Sequence, residues 1–566
     1  MTSNPALLLI LGAIPVPLLR RWLRGAWMLV LPVAGMALLW TLPEGSAGEL
    51  ELLGMTLEPL RVDALGRVFA TVFLIAALLC VIYSLHVRDT VQQVSTLVYA
   101  GSAVGGALAG DMVTMFVFWE LAGLSSVFLI WARRNERSFR AGVRYLAAQV
   151  LSGLLMLAGI IVRLNAGYDL QFDAIGVDNT GGVLILLAIG IKCAFPVLHS
   201  WLQDTYPEAT VIGTVVLSAF TTKFAIYALA RGFPGTELLI VVGAIMTCFP
   251  IFFAVIENDL RRVLAYSMIN QLGFMVVGVG MGGALGINGA AAHAFADVIF
   301  KGLLFMSMGA VLLRTGTVKG SELGGLYKSM PQTTVLCMIG AASISAFPLF
   351  SGFATKSMIM QAVAEDHRTV IWGLLLFASA GVFHHAGIKI PFFAFFAHDR
   401  GYRVDEAPIN MRVAMGIAAL ICIGIGVAPD LLYGILPYPV DYVPYTTAHV
   451  VNQLQLLVLA SLAFTVLMRT GLYPPELRSV NLDADAVYRK LWPAAWRGSV
   501  RGVAWARDRL AVSLVPVAKR TVVALARPLH SGGVLNSAWS TSAMVWLVVL
   551  LLGLVLLASF LRSVVG

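Results

Sequence analysis

Sixteen apolar runs follow one another with almost no polar chain between them, and that succession excludes a soluble fold. A membrane-spanning helix needs about 20 mostly apolar residues. Runs of that kind lie near 5–20, 25–42, 65–85, 95–109, 112–132, 143–163, 182–203 and 210–230. They continue near 237–256, 263–281, 290–313, 333–361, 370–397, 411–427, 453–469 and 542–562. The one long polar stretch is 470–541. Across 566 residues, 59% are hydrophobic and 12% charged, about half the charge of an ordinary soluble domain. The expected class is all-α: a polytopic membrane protein of about 16 transmembrane helices. The apolar run Pro5–Leu19 has no basic residue before it and is followed by Arg20, Arg21 and Arg24. It reads as the first helix of a hairpin and not as a signal peptide.

A net charge of +9 would suit nucleic-acid binding if the basic residues were clustered on a soluble surface. Their positions show otherwise. When loops are assigned alternately to two sides, one side collects 28 Lys and Arg and the other collects 6. The positive-inside rule then makes the first side cytoplasmic, with both termini outside, as in a multi-pass protein of a bacterial inner membrane. The charge reports topology, the partner implied is the lipid bilayer, and no nucleic acid is expected.

Five lysines remain outside that count: Lys192, Lys223, Lys301, Lys356 and Lys389 all fall inside apolar runs. The chain has only nine lysines, so arginine serves the loops and most of the lysines are in the membrane. A charge at a helix centre costs roughly 2.5–3.5 kcal/mol on insertion scales, so it must be paired, hydrated or neutralised. Lysine gives up its proton on burial far more readily than arginine does, so a row of lysines can pass protons and a row of arginines cannot. Snorkelling toward the interface is the competing account for Lys389. Two acids share the membrane. Glu120 lies mid-helix, and Asp297 lies four residues after His293 and four before Lys301, so these three occupy one helical face and an Asp297–Lys301 ion pair is expected.

Two of the lysine-bearing runs contain an interrupting proline, Pro196 in Lys192–His199 and Pro348 in Ala346–Phe353, each within the triplet Ala-Phe-Pro. Proline in a membrane helix frees backbone groups, which is tolerated where the helix lines a cavity. Each break is followed one helix later by a second lysine, 31 residues on in the first case and 33 in the second. Helices 4–8 therefore resemble helices 9–13 in opposite orientation, as in transporters built from inverted repeats. The expected division is 1–94 (helices 1–3), 95–232 (first repeat), 233–400 (second repeat), 401–470 (helices 14 and 15), 471–541 (a basic interfacial segment) and 542–566 (helix 16). Glu120 aligns with Gln271, so the acid is not duplicated.

Other signals are weaker. Gly278–Gly283 matches GxGxxG but has no strand before it, and no phosphate-binding GxxxxGK[ST] loop is present. The cysteines Cys80, Cys193, Cys248, Cys337 and Cys422 sit in apolar runs without metal-ligand spacing, so neither a metal nor a cofactor is expected. Between Arg489 and Arg527 there are nine basic residues and one acid, interleaved with Trp492, Trp496 and Trp505. That composition marks an amphipathic stretch lying on the cytoplasmic leaflet. Pro493 and Pro516 argue against a single unbroken helix there.

Several segments resemble a known family. Phe118-Trp119-Glu120-Leu121, His199-Ser200-Trp201-Leu202-Gln203-Asp204, Asp259–Ser267 and Phe300-Lys301-Gly302-Leu303-Leu304-Phe305 are similar to the antiporter-like membrane subunits of respiratory complex I. That superfamily is shared with membrane-bound hydrogenases and Mrp-type multisubunit cation/proton antiporters. Leu217–Lys223, Arg231–Gly235, Lys389–Phe393 and the tail Asn481–Asp485 resemble the D subunit of the Mrp type. The resemblance covers roughly 60–430. It implies a proton-translocating subunit of an Na+/H+ antiporter complex, with the other subunits, protons and Na+ as partners. It also implies that Glu120 pairs with Lys192, that Lys223 feeds a central axis, that Lys301 bridges the halves, and that Lys356 serves the exit. Lys389 matches a lysine of D-type subunits, and His199, Asp204 and His293 are accessory. Where the family has a second histidine before the helix-11 lysine, this chain has Asp297. The alternative within the same fold is a pump subunit driven by redox chemistry on partner chains.

Overall fold

The computed structural model describes residues 4–565 except 47, 53, 475–480, 482, 485 and 531–539, so parts of the expected basic segment 471–541 lie outside the described residues. It divides into two units, Met1–Ala484 and Asp485–Gly566. Every one of the sixteen apolar runs falls on helix, and twelve of the helices are long and apolar enough to cross a membrane singly. The exceptions are instructive. The first run is α-helical only over Pro5–Gly12 and continues to Leu19 as hydrogen-bonded turns, because Pro15 and Pro17 lack the N–H that a continuous helix needs. The Thr90–Ala107 helix is rich in Gln, Ser, Thr and Gly, yet most of it is buried. The runs at 182–203 and 333–361 are each split into two half-helices, Thr180–Lys192 with Ser200–Thr205, and Pro331–Ile344 with Ser351–Glu365.

Helix starts explain many of the chain's acids and amides. Asp63, Asp89, Asp111, Asn135, Asn179 and Asp259 each stand at an N-cap and accept a backbone N–H of the first turn, so their polarity is used at the membrane rim. Connections alternate between two faces. Ion pairs join the loops of the Arg-rich face (Arg133–Glu208, Arg144–Asp204) and, separately, those of the opposite face (Arg61–Asp173, Arg231–Asp63, Arg368–Glu237). On the opposite face, 45–62 also forms two small antiparallel pairs, Gly45–Ser46 with Arg61–Val62 and Leu50–Leu52 with Met55–Leu57.

The centre of the first unit is built on two helices almost wholly buried by their neighbours, Leu260–Met281 and Gly283–Thr315. Leu260–Met281 meets Glu237–Ile256 backbone to backbone: a methyl on Gly273 would stand 2.6 Å from the Thr247 nitrogen, and one on Gly243 2.7 Å from the Val277 nitrogen. Small residues are what allow such approach in lipid, where helix association depends on close packing. The polar groups of the site hang on this tightly held pair.

In the second unit, Trp492–Ala526 is one helix of 35 residues, contrary to the expectation drawn from its prolines. Pro493 follows directly on the π-wound turn Val487–Leu491, so its missing N–H falls where the winding already departs from the α-helical ladder, and Pro516 is accommodated inside the helix. Thr541–Val565 is the last helix.

Candidate functional site

Both half-helix breaks are built the same way. In the first, Ala194 and Val197 take left-handed φ values of 61° and 71°; in the second, Ala346 and Leu349 take 56° and 73°. Phe195 N–H bonds the Gly190 carbonyl and Ala194 N–H bonds Ile191, a Schellman closure that Phe347 to Ala342 and Ala346 to Ser343 repeat. Glycine usually fills such positions. A side chain there costs about 1–2 kcal/mol, so each break stores strain and ends its half-helix abruptly. Pro196 and Pro348 prevent the chain from resuming the helix at once.

The lysines stand on opposite sides of these twin breaks. Lys192 is the last residue of the half-helix before the first break, whereas Lys356 lies in the half-helix after the second. Lys356 Nζ reaches back 3.1 Å to the carbonyl of Ile344, the last residue of Pro331–Ile344, and lies 5.0 Å from the Phe274 ring centre. Lys192 Nζ bonds the Trp119 carbonyl at 2.5 Å and sits 4.3 Å over the Trp119 ring. It makes no direct ion pair with Glu120 within 4 Å; the carboxylate acts on it through space from the adjoining position in the helix. Glu120 is half-buried, with Oε1 enclosed and unpartnered, and its carboxyl occupies the room left by Gly153.

A third break has no proline. The run at 210–230 divides into Val211–Ala219 and Thr221–Gly232 at Phe220, where the Tyr99 hydroxyl accepts the Thr221 N–H at 2.9 Å and is also bonded to the Thr221 hydroxyl. The Leu217 carbonyl that this N–H would have met in a continuous helix is taken by the Tyr206 hydroxyl, and the Ser218 carbonyl accepts from Lys223 Nζ at 3.1 Å. Lys223 also forms an ion pair with Asp297 at 2.7 Å, both side chains being 0% exposed. The expected Asp297–Lys301 pair is therefore replaced. Shared helical face gives proximity, but the Lys301 ammonium turns to the Ser267 hydroxyl at 2.8 Å on the neighbouring helix, and Asp297 is taken by Lys223. The ring nitrogens of His293 lie 3.0 Å from Thr355 Oγ1 and 3.1 Å from Gln271 Oε1, so this residue links three helices. Lys223, Asp297, His293, Lys301 and Lys356 act on one another electrostatically and form one buried polar row.

Lys389 does not snorkel. It is fully buried in the helical segment Thr369–Phe396, which is π-wound on both sides of it, and its ammonium bonds the carbonyls of Ala254, Val255 and Glu257 at 3.2, 2.6 and 2.7 Å. These cap the end of Glu237–Ile256. Asp204 pairs with Arg144 at 2.5 Å near the Arg-rich face. His199 bonds Asp483, a residue in a polar tail that nothing in the sequence alone places at the site. The row has a buried polar group on one side and a cavity on the other. The His199 group lies toward the Arg-rich face. On the opposite face a cavity of about 1110 Å³ reaches Lys356 and is lined also by Asn288, Ser357, Gln361, Glu365 and His449. Among the described residues there is no His, Cys, Asp and Glu cluster of metal-binding form.

Residues 109–383 match the transmembrane family described as NADH:quinone oxidoreductase/Mrp antiporter. The chain is similar to hydrogenase-4 component B of Escherichia coli K12, 28% identical over 422 residues, covering 66% of this chain and 63% of that one. It is also similar to an Na+/H+ antiporter subunit of Alkalihalophilus pseudofirmus, the A type, 28% identical over 423 residues, covering 66% and 52%. The alignments thus span less than two thirds of either relative. Among solved structures, a chain of the Mrp complex from Dietzia sp. DQ12-45-1b superposes with a TM-score of 0.78 at 25% identity, over 93% of this chain and 63% of that one.

Proposed function

We propose that this chain, whose residues 109–383 match the antiporter-like membrane family that Mrp antiporters share with complex I, is the proton-translocating subunit of a multisubunit Na+/H+ antiporter, of the D type. The observation that carries this reading is how the five ammonium groups are held. Four bond backbone carbonyls and the fifth a serine hydroxyl. Of Lys192, Lys223, Lys301 and Lys356, only Lys223 has a carboxylate of the described residues within ion-pair distance. Such partners stabilise a buried ammonium without fixing its proton permanently. The chain is a transporter subunit, and the path proposed for protons runs from the Arg-rich face past Glu120 and Lys192, through Lys223, Lys301 and Lys356, to the cavity on the opposite face. Withdrawal of the Glu120 charge from Lys192 releases the proton toward Lys223. Lys389, bound to the carbonyls that end Glu237–Ile256, is read as a further proton-transfer lysine.

We take the Arg-rich face as cytoplasmic and both termini as external, in a bacterial inner membrane, from the distribution of basic residues. The segments 95–232 and 233–400 are read as inverted repeats, which the twin breaks support. Glu120 is half-buried in the isolated chain, which suits a neighbouring chain of the complex placing its own charge beside it. A second reading, a pump subunit driven by redox chemistry on partner chains, is favoured by the likeness to hydrogenase-4 component B. The test is proton flux in inverted vesicles containing the assembled complex, under an Na+ gradient and without an electron donor. Flux is expected in the wild type and absent from Lys192→Ala and Glu120→Ala at equal membrane abundance. Flux at the wild-type rate in either variant refutes the path, and flux that requires a reductant replaces the first reading with the second.

A further inference from the structure

Asp483 reaches the bundle from beyond its fifteenth helix. The tail that follows Thr447–Thr470 brings it to the Arg-rich face of the first break, where it is 7% exposed and His199 4% exposed. Its carboxylate accepts from His199 Nε2 (3.1 and 3.2 Å to the two oxygens), Gln203 Nε2 at 3.0 Å, the Tyr266 hydroxyl at 2.8 Å and the Ala484 N–H at 2.6 Å. Burial alone would raise its pKa, but the His199 ring, the Ala484 N–H and the Tyr266 hydroxyl outweigh this and hold the carboxyl below its usual range. His199 is the last residue of the break, seven positions after Lys192, and its ring packs on Phe249. Its other nitrogen, Nδ1, is buried with no partner among the described residues. Buried polar atoms are nearly always paired, so an orphan here needs a reason, and a nitrogen that takes up and passes on protons supplies one.

We propose that Asp483 and His199 form the proton-exchange pair at the cytoplasmic mouth of the first half of the bundle, with the tail carboxylate positioning the imidazole and stabilising its charged form. The inference rests on the proton-translocating reading above. A proton taken at Nδ1 gives an imidazolium whose Nε2–H points at Asp483; the proton leaves again from Nδ1, and neither group is altered over a cycle. Other charges face the pair. Glu257 lies 3.4 Å from Asn481 and 3.9 Å from Arg262, both Glu257 and Arg262 act on Tyr266, Asp204 is bound by Arg144, and Asp259 caps the Leu260–Met281 helix. Besides Asp483, the imidazole packs on the uncharged ring of Phe249.

The experiment measures transport by the full-length chain in its assembled complex, in inverted vesicles whose cytoplasmic side is exposed, as a function of the outside pH. Asp483→Asn keeps the shape and removes the charge. The pH of half-maximal transport on that side is expected to fall by about one unit, because an imidazole without its carboxylate fills with protons only at lower pH. The sign is the same whether the mouth loads or releases protons. Tyr266→Phe strips one donor from the carboxylate, strengthens its hold on the imidazole and moves the midpoint the other way; Asp483→Glu restores the wild-type value. A tail that is only a structural strap would lower membrane abundance in Asp483→Asn and leave the midpoint unmoved in both variants. That outcome, with Lys192→Ala inactive, overturns the exchange pair alone. Transport by Lys192→Ala overturns the reading beneath it. If Asp483→Asn fails to accumulate, the direction of the Tyr266→Phe shift decides.

Discussion

The pairing of Asp297 with Lys223, and not with the lysine on its own helical face, makes a sharp prediction. The two groups are 2.7 Å apart and fully buried. At an effective dielectric of about 20 their attraction is about 6 kcal/mol, most of it offset by desolvation, but removal of one partner leaves a buried charge at a cost of about 3–5 kcal/mol. In Asp297→Asn, Lys223 either carries that charge uncompensated or gives up its proton. Any step through a charged Lys223 should then slow by about two to three orders of magnitude, since each 1.4 kcal/mol is about tenfold. The single variant does not identify the partner; a double-mutant cycle does. Lys223→Met combined with Asp297→Asn removes both charges and should recover membrane abundance and thermal stability in detergent, with a coupling of about 3 kcal/mol. Lys301→Met combined with Asp297→Asn should show a smaller coupling than the Lys223 cycle, because Asp297 acts on Lys301 only through space while Lys301 is held by Ser267. Rescue by the Lys301 variant and none by the Lys223 variant would refute the arrangement.

Three further outcomes follow from the same geometry. Gly153→Ala places a methyl where the Glu120 carboxyl lies, so transport should fall at least about tenfold while membrane abundance is unchanged, because only a flexible side-chain end has to move; loss of abundance in step with transport would count against the placement. Ala194→Gly and Ala346→Gly relieve left-handed strain, and each should raise stability by about 1 kcal/mol, read as a higher Tm in detergent. His86, in the loop after Ala64–Ser84, accepts the Asn410 amide at 3.0 Å, and burial lowers its pKa from 6.5. The folded state thus favours the neutral ring, so the stabilisation is present above pH 6.5 and is lost as the pH falls from there through the lower folded-state pKa. His86→Gln should flatten the acid limb of a Tm-against-pH curve, and an unchanged limb would remove His86 from the account.

The helices and the buried lysines are legible in the sequence because both follow from local composition: a run of about twenty apolar residues has few alternatives in lipid, and a lysine inside one is an exception that must be used. The two proline breaks are legible for the same reason. The break at Phe220 is not, since what holds it open is the hydroxyl of Tyr99, 122 residues before its partner Thr221. The partner of Asp297 escapes the i, i+4 rule because that rule states which residues share a face and is silent on what a neighbouring helix offers. Lys301 finds Ser267, and Lys223 comes in from another helix. Asp483 lies in a polar tail, where one more acid carries no signal until the fold brings His199, Gln203 and Tyr266 to it. Pro516 does not end its helix, because an interior proline removes one backbone hydrogen bond and can kink a helix without stopping it.

The breaks and the lysines answer to one physical requirement. The last turn of a helix leaves carbonyls without intrahelical donors and concentrates about half a negative charge there. Lys223 uses the end of Val211–Ala219, Lys356 the end of Pro331–Ile344, and Lys389 the end of Glu237–Ile256. Two of those ends exist at mid-membrane only because the helices are interrupted. Interruption thus creates the partial charges that make a buried ammonium tolerable, and partial charges hold a proton less firmly than a carboxylate does. Lys223 adds the Asp297 carboxylate to its carbonyl, so of the four lysines from Lys192 to Lys356 it is the one whose ammonium meets a full negative charge among the described residues.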